Sequence, residues 1–490
     1  MELKHLKSGT DIRGFAVGEN MQLTDEVVEC IALGFASYLQ QKTGARTSDM
    51  TVCIGHDSRI SAQRIKNALI RALTSLGVRV LDCGMCSTPA MFTVCLDSGC
   101  TASIQITASH HPYDRNGLKF FTRDGGFEGE EISAVLNLAE SQAPSGNAEG
   151  TAEKYDYMPI YCARLRKIFT DALGEDAPLK GMHIVEDAGN GAGGFFAKDV
   201  LAPLGADISG SEFLEPDGSF PNHVPNPENE TAMGYICRNV IKNNADLGVI
   251  FDTDVDRAAC VGADGREINR NALVALAAAV ALKDAPGGTI VTDSVTSDGL
   301  KEFIENHLGG VHYRYRRGYK NVINKAKELN AAGIDCPLAI ETSGHAALRD
   351  NFFLDDGAYL MVRIIILFAE MRRSGRELTE LLTELKEPLE AKEIRYRIAC
   401  GNFAAYGKAV LDDLADYCRM FSFITPAPDN REGYRVNFDK EHGDGWLLLR
   451  LSVHDPVMPL NIESNSVGGA EKIEKFFAEF VKRHDRLSAK

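Results

Sequence analysis

The chain has 490 residues, which at roughly 150 residues per domain predicts three or four domains. Its 53 Lys and Arg stand against 69 Asp and Glu, and the formal charge of -16 disfavours nonspecific binding to nucleic acid or to an anionic membrane, since either wants a basic patch. A small phosphorylated ligand needs only a local cluster of cations and N–H groups, so it remains compatible with that balance. With 44% hydrophobic and 25% charged residues, the chain has the make-up of a folded protein able to bury several cores.

Met1 to His5 lead into polar sequence without an apolar signal core, and no apolar run reaches the roughly 18 residues of a membrane span. The first clear element runs from Thr24 to Gln40: Thr24 can cap a helix, Asp25 and Glu26 complement its N-terminus, and Val28, Ile31, Ala32, Phe35 and Leu39 form one apolar face. Val52 to Gly55 reads as a strand that runs into His56-Asp57-Ser58-Arg59. A helix follows through Ile65, Leu69, Ile70 and Leu73, and Val78 to Leu81 returns as the next strand. This is a βαβ unit, and it predicts a mostly parallel sheet. The twelve cysteines, many in apolar runs such as Thr51-Val52-Cys53-Ile54, read as buried free thiols of a reducing compartment, so the expected location is cytoplasmic. Cys83 and Cys86 form the only CxxC, and without a second pair a zinc site is not expected.

Next comes the strand-like Ser103 to Ile106, running into Thr107-Ala108-Ser109-His110-His111-Pro112. A serine at a strand end beside two histidines is placed as an exposed nucleophile, although Ser next to His is also common in ordinary loops. Asn116-Gly117-Leu118-Lys119 then supplies a turn and a cation. Gln142 to Glu153, rich in Ser, Gly, Ala and Glu, reads as a surface connection. After the strand Met182 to Glu186, the run Gly189-Asn190-Gly191-Ala192-Gly193-Gly194 matches GxGxxG, with Asp207 as an acidic residue downstream. It reads either as a dinucleotide turn or as close strand-to-helix packing.

The strand Leu247 to Phe251 leads directly into Asp252-Thr253-Asp254-Val255-Asp256-Arg257. Three carboxylates at alternate positions repel one another unless something neutralises them, and in a loop they can converge on a hard cation through oxygen ligands. Mg²⁺ suits such a set, because it accepts few protein ligands plus a phosphate oxygen. An EF-hand fits poorly, since Arg257 would stand where its Gly belongs and Ala263 where its Glu belongs. Thr289 to Thr292 is a further strand. Pro337 to Ile340 is another, and it enters Glu341-Thr342-Ser343-Gly344-His345, a carboxylate, hydroxyl and imidazole around a Gly turn that suits a hydroxyl-rich ligand or a simple capped turn. Past Glu387-Pro388 the character shifts to helix signals with a strand at Gly445 to Arg450, which predicts a smaller α+β domain.

In this order the pieces resemble the α-D-phosphohexomutase family, which includes phosphoglucomutases, phosphomannomutases and phosphoglucosamine mutases. Thr107 to Pro112 is similar to its TASHNP-like phosphoserine loop, with His111 in place of Asn. Asp252 to Arg257 is similar to the DGDGDR-like metal loop, with Thr253 and Val255 in place of its glycines, and Glu341 to His345 to the GExSGH-like sugar loop. Gly9-Thr10-Asp11-Ile12-Arg13-Gly14 is similar to the GTDGIRG start. The fourth, RPSGTEP-like phosphate loop departs: Arg450-Leu451-Ser452-Val453-His454-Asp455-Pro456 stands there, with Val for Gly, His for Thr, and Pro459 at the later arginine position.

The resemblance implies three similar mixed-sheet α/β domains plus a smaller C-terminal α+β domain around a central cleft, with boundaries near 155, 262 and 385. The first would carry the phosphoserine, the second the metal, the third the sugar site and the last a phosphate site. It implies a Mg²⁺-dependent phosphohexomutase that interconverts hexose 1- and 6-phosphates through a phosphoserine at Ser109 and a sugar 1,6-bisphosphate, which is also the expected activator. Asp252, Asp254 and Asp256, with the phosphoserine, would hold the metal. Lys119, Arg13 and Arg257 would balance charge on the transferring group, and Lys119 or His345 would exchange a proton with the sugar. Glu341, Ser343 and His345 would hold the sugar, and Lys320, Arg450, Ser452 and His454 a phosphate. The form of the sugar loop favours mannose and glucose phosphates. A phosphoglucosamine mutase, a sugar 1,6-bisphosphate-forming enzyme and a non-catalytic phosphosugar-binding protein remain open alternatives. The expected partner is the phosphosugar, with no nucleic acid and no membrane; the sequence leaves the oligomeric state undetermined.

Overall fold

A computed structural model describes residues 2–144, 150–452 and 455–489. The chain divides into two compact units, one of Met1–Leu273 with Ser343–Glu380 and one of Val274–Thr342 with Leu381–Lys490.

In the first unit the expected opening helix forms over Asp25–Thr43. The Thr24 side chain accepts from the Val27 N–H, and Gly44 ends the helix in a left-handed conformation at φ 72°. Its apolar face packs into a core with Ile54, Leu69, Leu73 and Phe120. The predicted βαβ unit is present as Thr51–His56, Ala62–Ser75 and Arg79–Met85, with the two strands parallel. The sheet as a whole is mixed, not mostly parallel. Ala102–Ile106 joins Thr51–His56 in parallel, but Arg115–Thr122, Asp11–Phe15 and Lys7–Ser8 continue the sheet antiparallel. The reason is connectivity: a turn of a few residues after Ile106 can only fold the chain back antiparallel, whereas a parallel return needs a crossover helix. Of the expected connection at 142–153, residues 145–149 lie outside the described residues, and Glu153–Lys154 forms a parallel edge strand against Arg79–Met85.

A second sheet in this unit has the order Glu267–Ile268, Ala258–Gly262, Leu247–Phe251, Ile184–Asp187, and only its last pair is parallel. The glycine run after Ile184–Asp187 serves packing. A Cβ on Gly191 would lie 2.7 Å from the Thr253 carbonyl oxygen, and Ala192 N donates to that oxygen at 2.8 Å. The close approach is thus to the aspartate loop itself. The hairpin Ala346–Leu348 with Leu354–Asp355 and the helix Gly357–Arg373 complete the unit, and Tyr161 Oη donates to Asp356 at 2.9 Å.

In the second unit Thr289–Thr292 is flanked in parallel by Val311–Arg314 and Leu338–Ile340. A six-stranded antiparallel sheet follows in the order Ile424–Pro426, Tyr434–Phe438, Gly445–Leu449, Val457–Ser464, Glu390–Ile398, Leu487–Ala489. The helices Phe403–Cys418 and Gly469–Val481 cover one face and enclose Leu447, Leu449, Leu460 and Ile462. No described helix is long and apolar enough to cross a membrane.

Candidate functional site

Ser109 and the first of the three aspartates, Asp252, 143 residues apart in sequence, meet within the first unit. The strand Ala102–Ile106 delivers the loop carrying Ser109, whose N–H donates to its neighbour Thr107 Oγ1 at 2.9 Å and whose φ is 51°. Ser109 Oγ donates to Asp252 Oδ2 at 3.0 Å and lies 3.3 Å from His110 Nδ1. Beneath the loop is Arg59, a fully buried residue that sequence reading did not single out. It donates to the carbonyls of Pro112 at 2.7 Å, Arg115 at 2.9 Å and His111 at 2.6 Å, and to that of Ser109 as well, while Asp57 pairs with it at 3.3 Å. The only local signal was an Asp-x-Arg directly after a strand.

The aspartate loop leaves the strand Leu247–Phe251, and an oxygen from each of Asp252, Asp254 and Asp256 lies within 4.8 Å of the others. Asp254 Oδ1 and Asp256 Oδ1 are buried without a hydrogen-bond partner among the described residues. All the donors are hard oxygens, so the set fits a hard divalent cation such as Mg²⁺. Cations already surround it. Lys119, carried on Arg115–Thr122, donates to Asp254 Oδ2 at 3.1 Å and to Asp256 Oδ2. Arg257 Nε donates to Asp252 Oδ2 at 3.2 Å, its Nη2 to Ser109 Oγ at 3.4 Å, and its Nη1 reaches Asn226 and Glu228. Thr88, at the start of the helix Thr88–Asp97, also escaped the sequence reading; its hydroxyl donates to Asp254 Oδ2 at 2.5 Å.

Burial, reinforced by the charges of Asp256 and Asp254, pushes the Asp252 carboxyl well above the usual range. Burial acts the same way on Asp256, but Lys119, His345 and Arg257 outweigh it and hold that carboxyl below its ordinary value. His345 follows Gly344, whose φ of 95° lets the chain run beside Ala258; a Cβ there would lie 2.7 Å from the Ala258 oxygen. Burial opposes protonation of His345, yet Asp355, at 2.6 Å from Nδ1, and Asp256 raise it to about 9. His110 is the opposite case, held down to about 2 by burial and by Arg257. The serine oxygen is therefore bracketed by the Asp252 carboxyl, a neutral imidazole and a guanidinium. Such a surround suits a phosphoryl group, whose transfer needs positioning and charge balance more than covalent help. Arg13 lies opposite Gly117 on the paired strands, donates to Asp11 at 2.7 Å, and is one of the charges that depress His111.

The remaining predicted residues divide between the units. Ser343, buried with a hydroxyl that has no partner among the described residues, belongs to the first. Glu341 belongs to the second, where it accepts from the Gly318 N–H at 2.5 Å, and Thr342 is fixed by its hydroxyl to Asp293 at 2.8 Å. Arg450 and Ser452 line a cavity of about 480 Å³ in the second unit, and Lys320 sits on the helix Tyr319–Ala331. Burial and then the Arg317 charge depress the Arg450 guanidinium. Val453 and His454 lie outside the described residues.

Comparison with known proteins gives three consecutive family matches. The models described as phosphoglucomutase/phosphomannomutase, alpha/beta/alpha domains I, II and III cover residues 5–143, 160–265 and 269–388. A phosphomannomutase/phosphoglucomutase of Pseudomonas aeruginosa is 29% identical over 476 residues, 97% of this chain and 95% of its own. A phosphoglucomutase of Neisseria gonorrhoeae is 27% identical over 482 residues, 97% and 96% of the two chains. Among solved structures, a phosphoglucomutase/phosphomannomutase family protein of Burkholderia thailandensis superposes with a TM-score of 0.81 at 26% identity, with all of both chains covered.

Proposed function

The chain belongs to the α-D-phosphohexomutase family and is a hexose-phosphate mutase; on that premise we propose that Ser109 carries the phosphoryl group and that mannose and glucose phosphates are the substrates. The observation that carries this is the 3.0 Å hydrogen bond from Ser109 Oγ to Asp252, inside a buried trio of carboxylates. Asp252, Asp254 and Asp256 would hold Mg²⁺, which when bound supplies positive charge to the phosphoserine oxygens.

In the proposed cycle the phosphoserine gives its phosphoryl group to a free hydroxyl of the monophosphate, forming the sugar 1,6-bisphosphate. The bisphosphate reorients, and its other phosphate returns to Ser109. A sugar 1,6-bisphosphate supplied from outside would prime the serine and so act as activator. Arg257, Arg13 and Lys119 balance the charge of the transferring group. Lys119 or His345 exchanges the sugar hydroxyl proton; the protonation of His345 suits it to return one. Glu341, Ser343 and His345 hold the sugar hydroxyls, and Arg450, Ser452, Lys320 and His454 the second phosphate. We also propose four domains, divided near 155, 262 and 385.

The test is phosphorus NMR on purified protein with Mg²⁺ and a trace of sugar 1,6-bisphosphate, offering glucose, mannose and glucosamine 1-phosphates separately. A 6-phosphate signal should grow for glucose and mannose and be lost in Ser109→Ala. A Ser109→Ala protein that turns over at the parent rate would sink the serine's role.

A further inference from the structure

Side chains on a strand alternate between faces, so the register of the antiparallel sheet decides which residues share a surface. In Glu390–Ile398, Tyr396 and Ile398 point into the helix-covered core, which leaves Arg395 and Arg397 on the opposite face. In the neighbouring strand Val457–Ser464, Met458 and Leu460 are core, so Val457 and Pro459 share the face of the arginines. Arg395 pairs with Pro459 and Arg397 with Val457. On the other side of Val457–Ser464, Leu449 pairs with Leu460, and Arg450 N donates to the Pro459 carbonyl at 3.1 Å. The order across the sheet is thus Arg395, Pro459, Arg450, with one strand spacing of about 4.8 Å on either side of the proline.

These residues line one cavity of about 480 Å³, together with Arg397, Ser452, Asp455, Pro456 and Val457. Arg450 Nε is buried without a hydrogen-bond partner among the described residues. The proline floor brings no charge and no N–H donor. Among the described residues that line it, Asp455 is the single acid, against three guanidinium groups. Each guanidinium offers a planar fork of N–H donors that matches two oxygens of a phosphate. Arg395 has Glu393 at 2.9 Å, but its side chain is 64% exposed, so water screens that pair and an entering dianion can compete for the fork.

We propose that Arg395, facing Arg450 across Pro459, binds the phosphate that stays on the sugar while the other is transferred, with Arg397 as its second contact on the same strand. The inference rests on the mutase reading and adds to it two residues outside the phosphate loop. Guanidinium groups from an adjoining strand supply charge beside a loop in which Pro459 stands at the later arginine position.

The test is steady-state kinetics with glucose 1-phosphate and Mg²⁺, paired with calorimetric titration of inorganic phosphate. Arg395→Ala should raise KM about 10- to 100-fold, as expected for losing one charge-assisted pair, with a much smaller change in kcat. It should weaken inorganic phosphate to a similar degree, Arg395→Lys should recover part of both, and Arg397→Ala should show the smaller effect. Both positions lie on an exposed strand face, and an unchanged melting temperature would confirm that the variants fold. If Arg450→Ala raises KM while Arg395→Ala and Arg397→Ala leave it unchanged, the proposal is overturned and the mutase reading stands. If the parent shows no turnover of any hexose phosphate, the mutase reading falls first. Phosphate binding lost on Arg395→Ala would then still support the anion site.

Discussion

The indole N–H of Trp446 donates to Glu463 Oε2 at 2.9 Å, and the Arg435 guanidinium lies over the same indole, 3.7 Å from its centroid. Arg435 continues to the carbonyls of Ser294 at 3.1 Å and Thr296 at 3.0 Å, tying the antiparallel sheet to the segment after Thr289–Thr292. Burial, opposed by Arg435, pushes the Glu463 carboxyl up to about 7. The folded chain holds this proton more tightly than the unfolded chain, whose carboxyl titrates near 4.5. The resulting stability is therefore present below about pH 4.5 and lost as pH rises through about 7, with a magnitude of about 3 kcal/mol. Trp446 is the sole tryptophan, so its emission should titrate with a midpoint near 7. Glu463→Gln keeps the acceptor and should flatten both the emission titration and the fall in melting temperature. A titration unchanged in that variant would assign the signal to another group.

Arg59 is the brace of the serine loop, since it satisfies four carbonyls between Ser109 and Arg115. Arg59→Lys keeps the charge but loses the fork, leaving buried carbonyls unpaired. Stability should fall by about 2–3 kcal/mol, read from the denaturant midpoint at constant slope. Turnover should fall by more than tenfold, because Ser109 is then held less firmly. Full activity in a destabilised Arg59→Lys protein would show that the brace serves folding only.

A divalent cation should stabilise the first unit in the absence of sugar. At about a hundred times its dissociation constant, Mg²⁺ should add about 2.7 kcal/mol, seen as a higher melting temperature that a chelator reverses. Asp254→Asn removes one carboxylate charge of the trio and should abolish most of that gain, whereas Ser109→Ala should keep much of it. Equal Mg²⁺ shifts in the parent and in Asp254→Asn would place the ion elsewhere.

Val255 adopts φ 67°, a left-handed conformation that a β-branched residue rarely occupies, and it is fully buried. The strain costs about 1–2 kcal/mol, while the packing of a buried valine is worth about 1.5–3 kcal/mol. Val255→Ala loses packing and keeps strain, whereas Val255→Gly loses packing and relieves it. Calorimetric melting should therefore find the glycine variant at least as stable as the alanine variant, the reverse of the order at an ordinary buried position. An alanine variant more stable by 1 kcal/mol or more, about the usual Ala–Gly difference, would show that the strain is negligible.

Local chemistry made much of this protein readable in one dimension. Thr24 before an acidic first turn, the apolar stripe to Leu39, the buried strand Leu247–Phe251 and three aspartates at alternate positions each depend on neighbours a few residues away, and capping, helical period and strand alternation act over that distance. The serine loop and the aspartate loop were legible separately for the same reason. What only the tertiary structure decided were the relations between distant segments. These include Ser109 with Asp252 at 3.0 Å, Thr88 with Asp254, Lys119 with two aspartates and His345 with Asp355. They also include the Arg59 clamp, the antiparallel half of the first sheet and Arg395 opposite Pro459. None leaves a trace in local periodicity. Strand order and register bring such partners together, and both are fixed by the packing of whole faces, so a side chain's role in the site is settled by the surface on which the fold places it.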